Sequence, residues 1–201
     1  MNKNMLFGKY PYLESKGLIL KKVEPQAAND LFEILTNENL FKYRPGNPLK
    51  TLDSVKNVIG HYERDFLKHK TIFLGIYYKE ANNKLVGIGE MFDFDDKASR
   101  VEIGYTLNEN YWGKGIATNA SKMMIEFLFT MVDVNSIQAT PMPINVKSKN
   151  VLERCGFTHE GTLRQIKYWT GNGIVDLEMY SILRTEYIDS KFILYKKERY
   201  L

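Results

Sequence analysis

Cysteine is nearly missing from this 201-residue chain, with Cys155 alone, so no intramolecular disulfide can form and a disulfide-stapled secreted scaffold is excluded. Histidine is scarce too: His61, His69 and His159 show no metal-ligand spacing, and no metal centre is expected. No uncharged apolar run approaches the ~18 residues that a membrane span needs. The first sixteen residues hold only the short apolar patch Met5, Leu6 and Phe7, so neither a spanning nor a targeting segment is expected. Charge of one sign is also thin. Lys plus Arg (28) exceeds Asp plus Glu (24) by only +4, and the excess forms no arm or stripe; direct nucleic-acid binding is therefore not expected. The cytoplasm is the expected compartment. Repeats, low-complexity stretches and linkers are lacking as well, which leaves one domain. What is present, 44% hydrophobic and 26% charged residues, suits a globular chain that buries one sizeable core.

The patterning predicts alternating short elements. Gly17–Val23 reads as a strand and Pro25–Thr36 as a helix with Ala28, Leu31, Phe32 and Leu35 on one face. Thr51–Lys68 reads as a second helix capped by Thr51. Thr71–Tyr78 and Leu85–Phe94 read as a hairpin, followed by Val101–Leu107, whose alternation puts Glu102, Gly104 and Thr106 on one face and Val101, Ile103, Tyr105 and Leu107 on the other. A glycine turn leads into a long helix with the stripe Ile116, Ala120, Met123, Phe127 and Met131, and the methionines Met123, Met124 and Met131 read as core. A short strand, Ser136–Thr140, a short helix, Ser148–Arg154, and a last hairpin, Thr158–Tyr168 with Ile174–Leu183, complete the set. The expected class is α/β (α+β), a mixed, mostly antiparallel sheet with helices on both faces.

Strand, glycine turn and helix make an anion-binding junction, because the first amides of a helix have no internal partners and its dipole favours negative charge there. Trp112-Gly113-Lys114-Gly115-Ile116-Ala117-Thr118 sits at that junction. Gly113 and Gly115 let the backbone approach a pyrophosphate, and Lys114 adds a charge at the rim. Neither a Walker loop nor a full GxGxxG is present. Two glycines in a turn are by themselves as often just a turn.

From about Leu18 to Arg184 the chain resembles the GCN5-related N-acetyltransferase (GNAT) superfamily. The resemblance rests on Glu102-Ile103-Gly104-Tyr105 with the turn that follows, similar to the acetyl-CoA signature (Q/R)xxGx(G/A) read as Trp112 to Ala117, on Asn145 to Phe157, and on Glu160-Gly161 with Asp176 to Leu183. It implies an N-terminal extension (1–16), an acetyltransferase domain (17–184) and a C-terminal tail (185–201), with acetyl-CoA as co-substrate. It also implies cofactor contacts from Tyr105, Thr106, Leu107, Trp112, Gly113, Lys114, Gly115, Ile116, Ala117, Thr118, Asn145 and Asn150. For the two asparagines an Asx turn and a helix cap stand as the alternative. The order of motifs is similar to the branch that acetylates ribosomal-protein N-termini, with polyamine and drug acetylation as its neighbouring chemistries.

Two departures stand out. Trp112 replaces the signature's opening Gln or Arg, and Leu152 replaces the tyrosine that many members use to reprotonate the leaving thiolate; Ser148, one turn earlier, or water is left for that role. These losses keep a noncatalytic acyl-CoA-binding module open as a second reading. Glu102 is the candidate base, and an ion-paired strand glutamate is its alternative. Cys155, next to a helix-ending glycine, reads as a buried small hydrophobe rather than a nucleophile. The acceptor site is expected near Asn37–Pro48 and near Tyr168 and Trp169, with Glu38 and Glu90 as available acids. The tail from Tyr187 is expected to pack on the domain or on a second copy of the chain.

Overall fold

Gly115 decides where the longest helix of the second half begins. Its φ of 75° lies in the left-handed region that a residue with a Cβ rarely adopts, and it ends the turn that redirects the chain into α4 (Ile116–Phe127). The computed structural model describes residues 1–187. Before α4 the chain forms α1 (Lys3–Phe7), β1 (Leu13–Glu14), β2 (Leu18–Lys21), α2 (Ala28–Leu35), α3 (Leu52–Leu67), β3 (Thr71–Tyr78), β4 (Lys84–Asp95) and β5 (Arg100–Leu107). After it come β6 (Ser136–Ala139), α5 (Val146–Arg154), β7 (Thr158–Trp169) and β8 (Gly173–Leu183).

The eight strands form one sheet in the order β1-β2-β3-β4-β5-β6-β8-β7. Every neighbouring pair is antiparallel except β5 and β6, which are joined through α4, as a parallel pair requires a crossover. That pair is short. β6 pairs with β5 only from Arg100↔Ser136 to Glu102↔Gln138. Beyond Ala139 the chain runs through Thr140-Pro141-Met142-Pro143, where proline removes donors and ends the ladder. The sheet therefore splits, and β5 from Ile103 to Leu107 faces the gap without a β6 partner.

Helices cover both faces. On one, α1 and α4 deliver Leu6, Phe7, Ile116, Ala120, Met124 and Ile125 onto Leu18, Leu74, Ile76 and Met91. On the other, α2 and α3 deliver Leu31, Ile34, Leu35, Val55, Ile59 and Tyr62 onto Tyr77, Leu85 and Ile88. α4 approaches the sheet centre closely because Gly89 has no side chain: a Cβ there would meet the Met124 sulfur at 2.9 Å. Thr51 caps α3 as expected, its Oγ1 accepting from the Ser54 amide at 3.2 Å.

Three details depart from the sequence reading. The stripe through Met131 is broken, because α4 runs into a wider π-type turn over Leu128–Val132. The turn rotates the face, leaving Met131 50% exposed while Leu128, Phe129 and Val132 are buried; Met124 is core and Met123 only half-buried. The short helix α5 begins at Val146, two residues before the expected Ser148. Residues 1–16 supply the buried side chains of Leu6, Phe7 and Pro11 and an edge strand to the body of the fold. Of the tail, 188–201 lie outside the described residues, and so does the expectation placed on them.

Candidate active site

The split between β5 and β6 opens a cleft of about 470 Å³. Its walls are the end of β5 (Tyr105, Thr106, Leu107), the glycine turn and first turn of α4 (Trp112, Gly113, Gly115, Ile116, Ala117, Thr118), and α5 (Asn145, Lys147, Ser148, Asn150, Val151, Arg154). Eleven of the twelve residues expected to contact acetyl-CoA therefore line this one cleft. Lys114 does not. Its ammonium sits 4.9 Å from the ring centroid of Tyr111, a residue that does line the cleft.

The lining of this cleft suits an anionic ligand. Among the described residues Arg44, Lys147 and Arg154 line it, and no Asp or Glu does. The first turn of α4 carries no acidic residue, so its unpartnered amides present an uncompensated positive end. The donor set fits a polyphosphate co-substrate such as acetyl-CoA. Sequence reading missed all three cations, since the destination of a long cationic side chain is set by tertiary packing. Lys147 is held above Trp112, its Nζ 4.2 Å from the ring centroid, a cation–π contact. Trp112 in turn donates its indole Nε1–H to the Leu107 carbonyl at 2.9 Å.

Asn145 is the N-cap of α5: its Oδ1 accepts from the Ser148 amide at 3.2 Å. The helix-cap alternative is thus realised while the residue also lines the cleft. Ser148 lies with its side chain against the Tyr105 phenol. Burial raises the Tyr105 hydroxyl above its ordinary value, and Ser148 opposes that rise. Leu152 is buried one turn further along α5.

A second cleft, of about 400 Å³, adjoins the first, and the two share Tyr43, Arg44, Tyr105, Thr106, Asn145 and Ser148. Its floor is one face of β3, β4 and β5, where Thr71, Phe73, Glu90, Phe92, Glu102 and Gly104 stand together. Register explains the grouping, because Phe73↔Glu90, Glu90↔Gly104 and Phe92↔Glu102 are opposed pairs and opposed residues share a face. Its far wall carries Lys167, Tyr168 and Trp169. A roof comes from residues 41–46, tied to the last hairpin by Asn172 Nδ2, which donates to the carbonyls of Phe41 (3.0 Å) and Arg44 (3.3 Å), and by the Gly46 amide on the Thr170 carbonyl (3.0 Å). The expected acceptor region and the last hairpin therefore do meet.

Glu102 points into this second cleft. Burial holds its carboxyl above the ordinary carboxylate value, opposed by a hydrogen bond from the Thr140 hydroxyl and by the Lys167 charge. Glu90 lines the same floor; Glu38 does not, being an exposed residue in the first turn of a short 3₁₀ segment, Glu38–Lys42. Cys155 lies outside both clefts with its Sγ on the Thr118 carbonyl. Burial pushes its thiol up to about 11, so it stays protonated at neutral pH. Among the described residues no cluster of His, Cys, Asp and Glu could hold a metal ion, and no helix is long and apolar enough to cross a membrane.

Comparison with known proteins agrees with this geometry. The Acetyltransferase (GNAT) domain family matches residues 17–158. N-acetyltransferase p20 of Bacillus licheniformis, itself described as uncharacterized, is 30% identical over 175 residues, covering 87% of this chain and 97% of that protein. A Bacillus subtilis protein named "Putative ribosomal N-acetyltransferase YdaF" is 28% identical over 178 residues, covering 87% and 95%. The structure of the microcin C7 self-immunity acetyltransferase MccE, in complex with acetyl-CoA and AMP, superposes with a TM-score of 0.76 at 26% identity over 84% of this chain and 93% of that one. With a split sheet, a cation-lined cleft at a helix N-terminus and a family match across most of its length, the chain belongs to the GNAT acetyltransferase family and is an acetyl-CoA-dependent acyltransferase.

Proposed function

We propose that the acceptor is the α-amine of a protein N-terminus, as in acetylation of the ribosomal-protein type. The observation that carries this reading is the position of Glu102, a half-buried carboxylate in the cleft that adjoins the end of β5. An amine must be neutral to attack. At pH 7 deprotonation costs about 1.4 kcal/mol for an α-amine of pKa ~8 and about 4.6 kcal/mol for a lysine of pKa ~10.4. A single carboxylate whose proton affinity is raised by burial suits the smaller task, acting directly or through water. The name of the B. subtilis relative points the same way.

In this reading the first cleft holds the CoA phosphates against the amides of Gly113 to Thr118 and the charges of Arg44, Lys147 and Arg154. The backbone of Tyr105 to Leu107 receives the acetyl group. The amine nitrogen attacks the thioester carbonyl carbon while Glu102 accepts its proton; the C–N bond forms, the C–S bond breaks, and the thiolate takes a proton through Ser148. Ser148 lies where both clefts meet, which supports that assignment.

A small amine is the second reading, favoured by the roof that Asn172 ties over the acceptor cleft and that bounds it at about 400 Å³. Incubation with acetyl-CoA and a panel of α-amino peptides, N-blocked lysine peptides, polyamines and aminoglycosides, read by mass spectrometry, separates the two. Acetylation of peptide N-termini is the expected result. Acetylation confined to the small amines would overturn it.

A further inference from the structure

The floor of the acceptor cleft carries a second carboxylate that the transfer chemistry leaves unused. Glu90 stands on β4 opposite Gly104, and Glu102 stands two residues before Gly104 on β5. The two glutamates are diagonal neighbours on one face, which places their Cβ atoms about 7 Å apart. No hydrogen bond to the Glu90 side chain is formed among the described residues, although the residue sits against buried Tyr62 and stacked Phe73. Burial raises its carboxyl, and the Arg44 charge only partly opposes that. Glu90 is half-buried and lines the open cleft, so its carboxylate, which has no donor from the protein, is left to accept from a ligand. Thr71, Phe73 and Phe92 around it would accommodate an apolar side chain.

Gly104 matters for the same reason. It is one of the residues of β5 with extended backbone rather than positive φ, and a Cβ there would make only ordinary contacts, 3.6 Å to Phe92 and 4.0 Å to Glu90. The fold does not need glycine at this place, yet its absent side chain leaves the floor open between the two carboxylates. The charge balance of the cleft is also informative: Arg44 and Lys167 offset Glu90 and Glu102, so a long polycation gains little from it, whereas a short molecule with two separated donors matches it.

We propose that Glu90 is the acceptor's second anchor, accepting an N–H or O–H from a group the substrate carries beyond its reacting amine, with the molecule lying across Gly104. The substrate class is then a short amine, free or at the end of a chain, whose second donor is a hydroxyl or another ammonium. This rests on the reading of the second cleft as the acceptor site.

The test compares butan-1-amine, 4-aminobutan-1-ol and butane-1,4-diamine by calorimetry with the CoA-bound protein, with thiol release from acetyl-CoA measured in parallel. On the wild type both two-donor probes are expected to bind about tenfold or more tighter than the monoamine, the size of one charge-assisted hydrogen bond. Glu90→Leu is expected to level the three. Glu90→Gln, which keeps a neutral acceptor, is expected to retain part of the amino alcohol's advantage and lose the diamine's. Gly104→Val is expected to weaken all three without changing acetyl-CoA affinity, and Glu90→Gln keeps the inference testable if Glu90→Leu fails to fold. An undiminished two-donor advantage in Glu90→Leu, or none in the wild type, overturns the proposal. Discrimination through Glu90 without thiol release from these probes or from an added α-amino peptide would sink the transfer reading and leave the anchor standing; release without discrimination would do the reverse.

Discussion

The Trp112 indole donates to the Leu107 carbonyl at 2.9 Å and thereby ties the glycine turn to the end of β5, across the mouth of the cofactor cleft. In the family signature this position opens with Gln or Arg, whose side chain is polar. Here the polar atom is turned inward to the strand, the ring packs against both hydrophobic clusters, and its face carries the Lys147 ammonium. The tryptophan thus holds at the cleft a positive charge that its own side chain lacks.

Trp112→Phe keeps a ring and removes the donor. One hydrogen bond of this kind is worth about 1 kcal/mol, so acetyl-CoA affinity should fall about fivefold by titration calorimetry, with a smaller change in kcat. Unchanged affinity would reduce Trp112 to a packing residue.

Lys147 and Arg154 should act as phosphate charges. The double substitution to Gln should weaken CoA binding and flatten its salt dependence, since each exposed charge pair contributes a screened interaction. A salt dependence equal to that of the wild type would place the phosphates elsewhere.

Glu102→Gln should lower kcat by about 10²-fold or more, the scale of general-base catalysis, with acetyl-CoA affinity unchanged. Because burial raises the Glu102 pKa above the ordinary 4.5, the wild-type rate should fall as pH drops through that raised value. The acid limb should vanish in the variant. An identical limb in both proteins would assign it to another group.

Tyr105 and Ser148 touch each other at the point where the two clefts meet. If they act as one proton path to the thiolate, Tyr105→Phe and Ser148→Ala should each lower kcat about tenfold, and the double variant should be no worse than the poorer single, because groups that act as a unit are not additive. Additive losses would show independent roles.

Glu90 should cost stability at neutral pH. Its folded-state pKa is raised above the ordinary 4.5 by burial, so the stability linked to its protonated form is fully present below that ordinary value and is lost as pH rises through the raised one. Glu90→Gln should therefore raise Tm at pH 7 by roughly 2–4 °C for each kcal/mol recovered, and the gain should shrink toward pH 4. A lower Tm at pH 7 would mean that the carboxylate is held by contacts that stabilise the fold.

Much of the fold was legible where local patterning and tertiary demand coincide. The strand Thr71–Tyr78 ends where its β-rich run ends, and Thr51 caps α3 because a short polar side chain before an apolar stripe has one economical use. The glycine turn could be read because φ near 75° at two positions is a local requirement. The π-type turn could not, since an extra residue in a helical turn leaves no composition signal, and it moved Met131 from the expected core to the surface. Burial of Leu6 and Phe7 depends on distant partners, the π-type turn at Leu128–Val132 against α1 and, for Phe7, the rings of Phe66 and Phe94, and a short apolar patch alone does not show it. Glu38 and Glu90 were equivalent as letters; the register of β4 against β5, a long-range property, placed only Glu90 in the cleft. Arg44 entered both clefts for a similar reason, through a loop held by Asn172 some 128 residues later.

The most direct measurement is free-thiol release from acetyl-CoA by the wild type and Glu102→Gln, with and without an α-amino peptide. Release should need the peptide and fall by about 10²-fold in the variant, while calorimetry shows equal acetyl-CoA binding by both. Peptide-dependent release at the same rate in both proteins would contradict the role of Glu102.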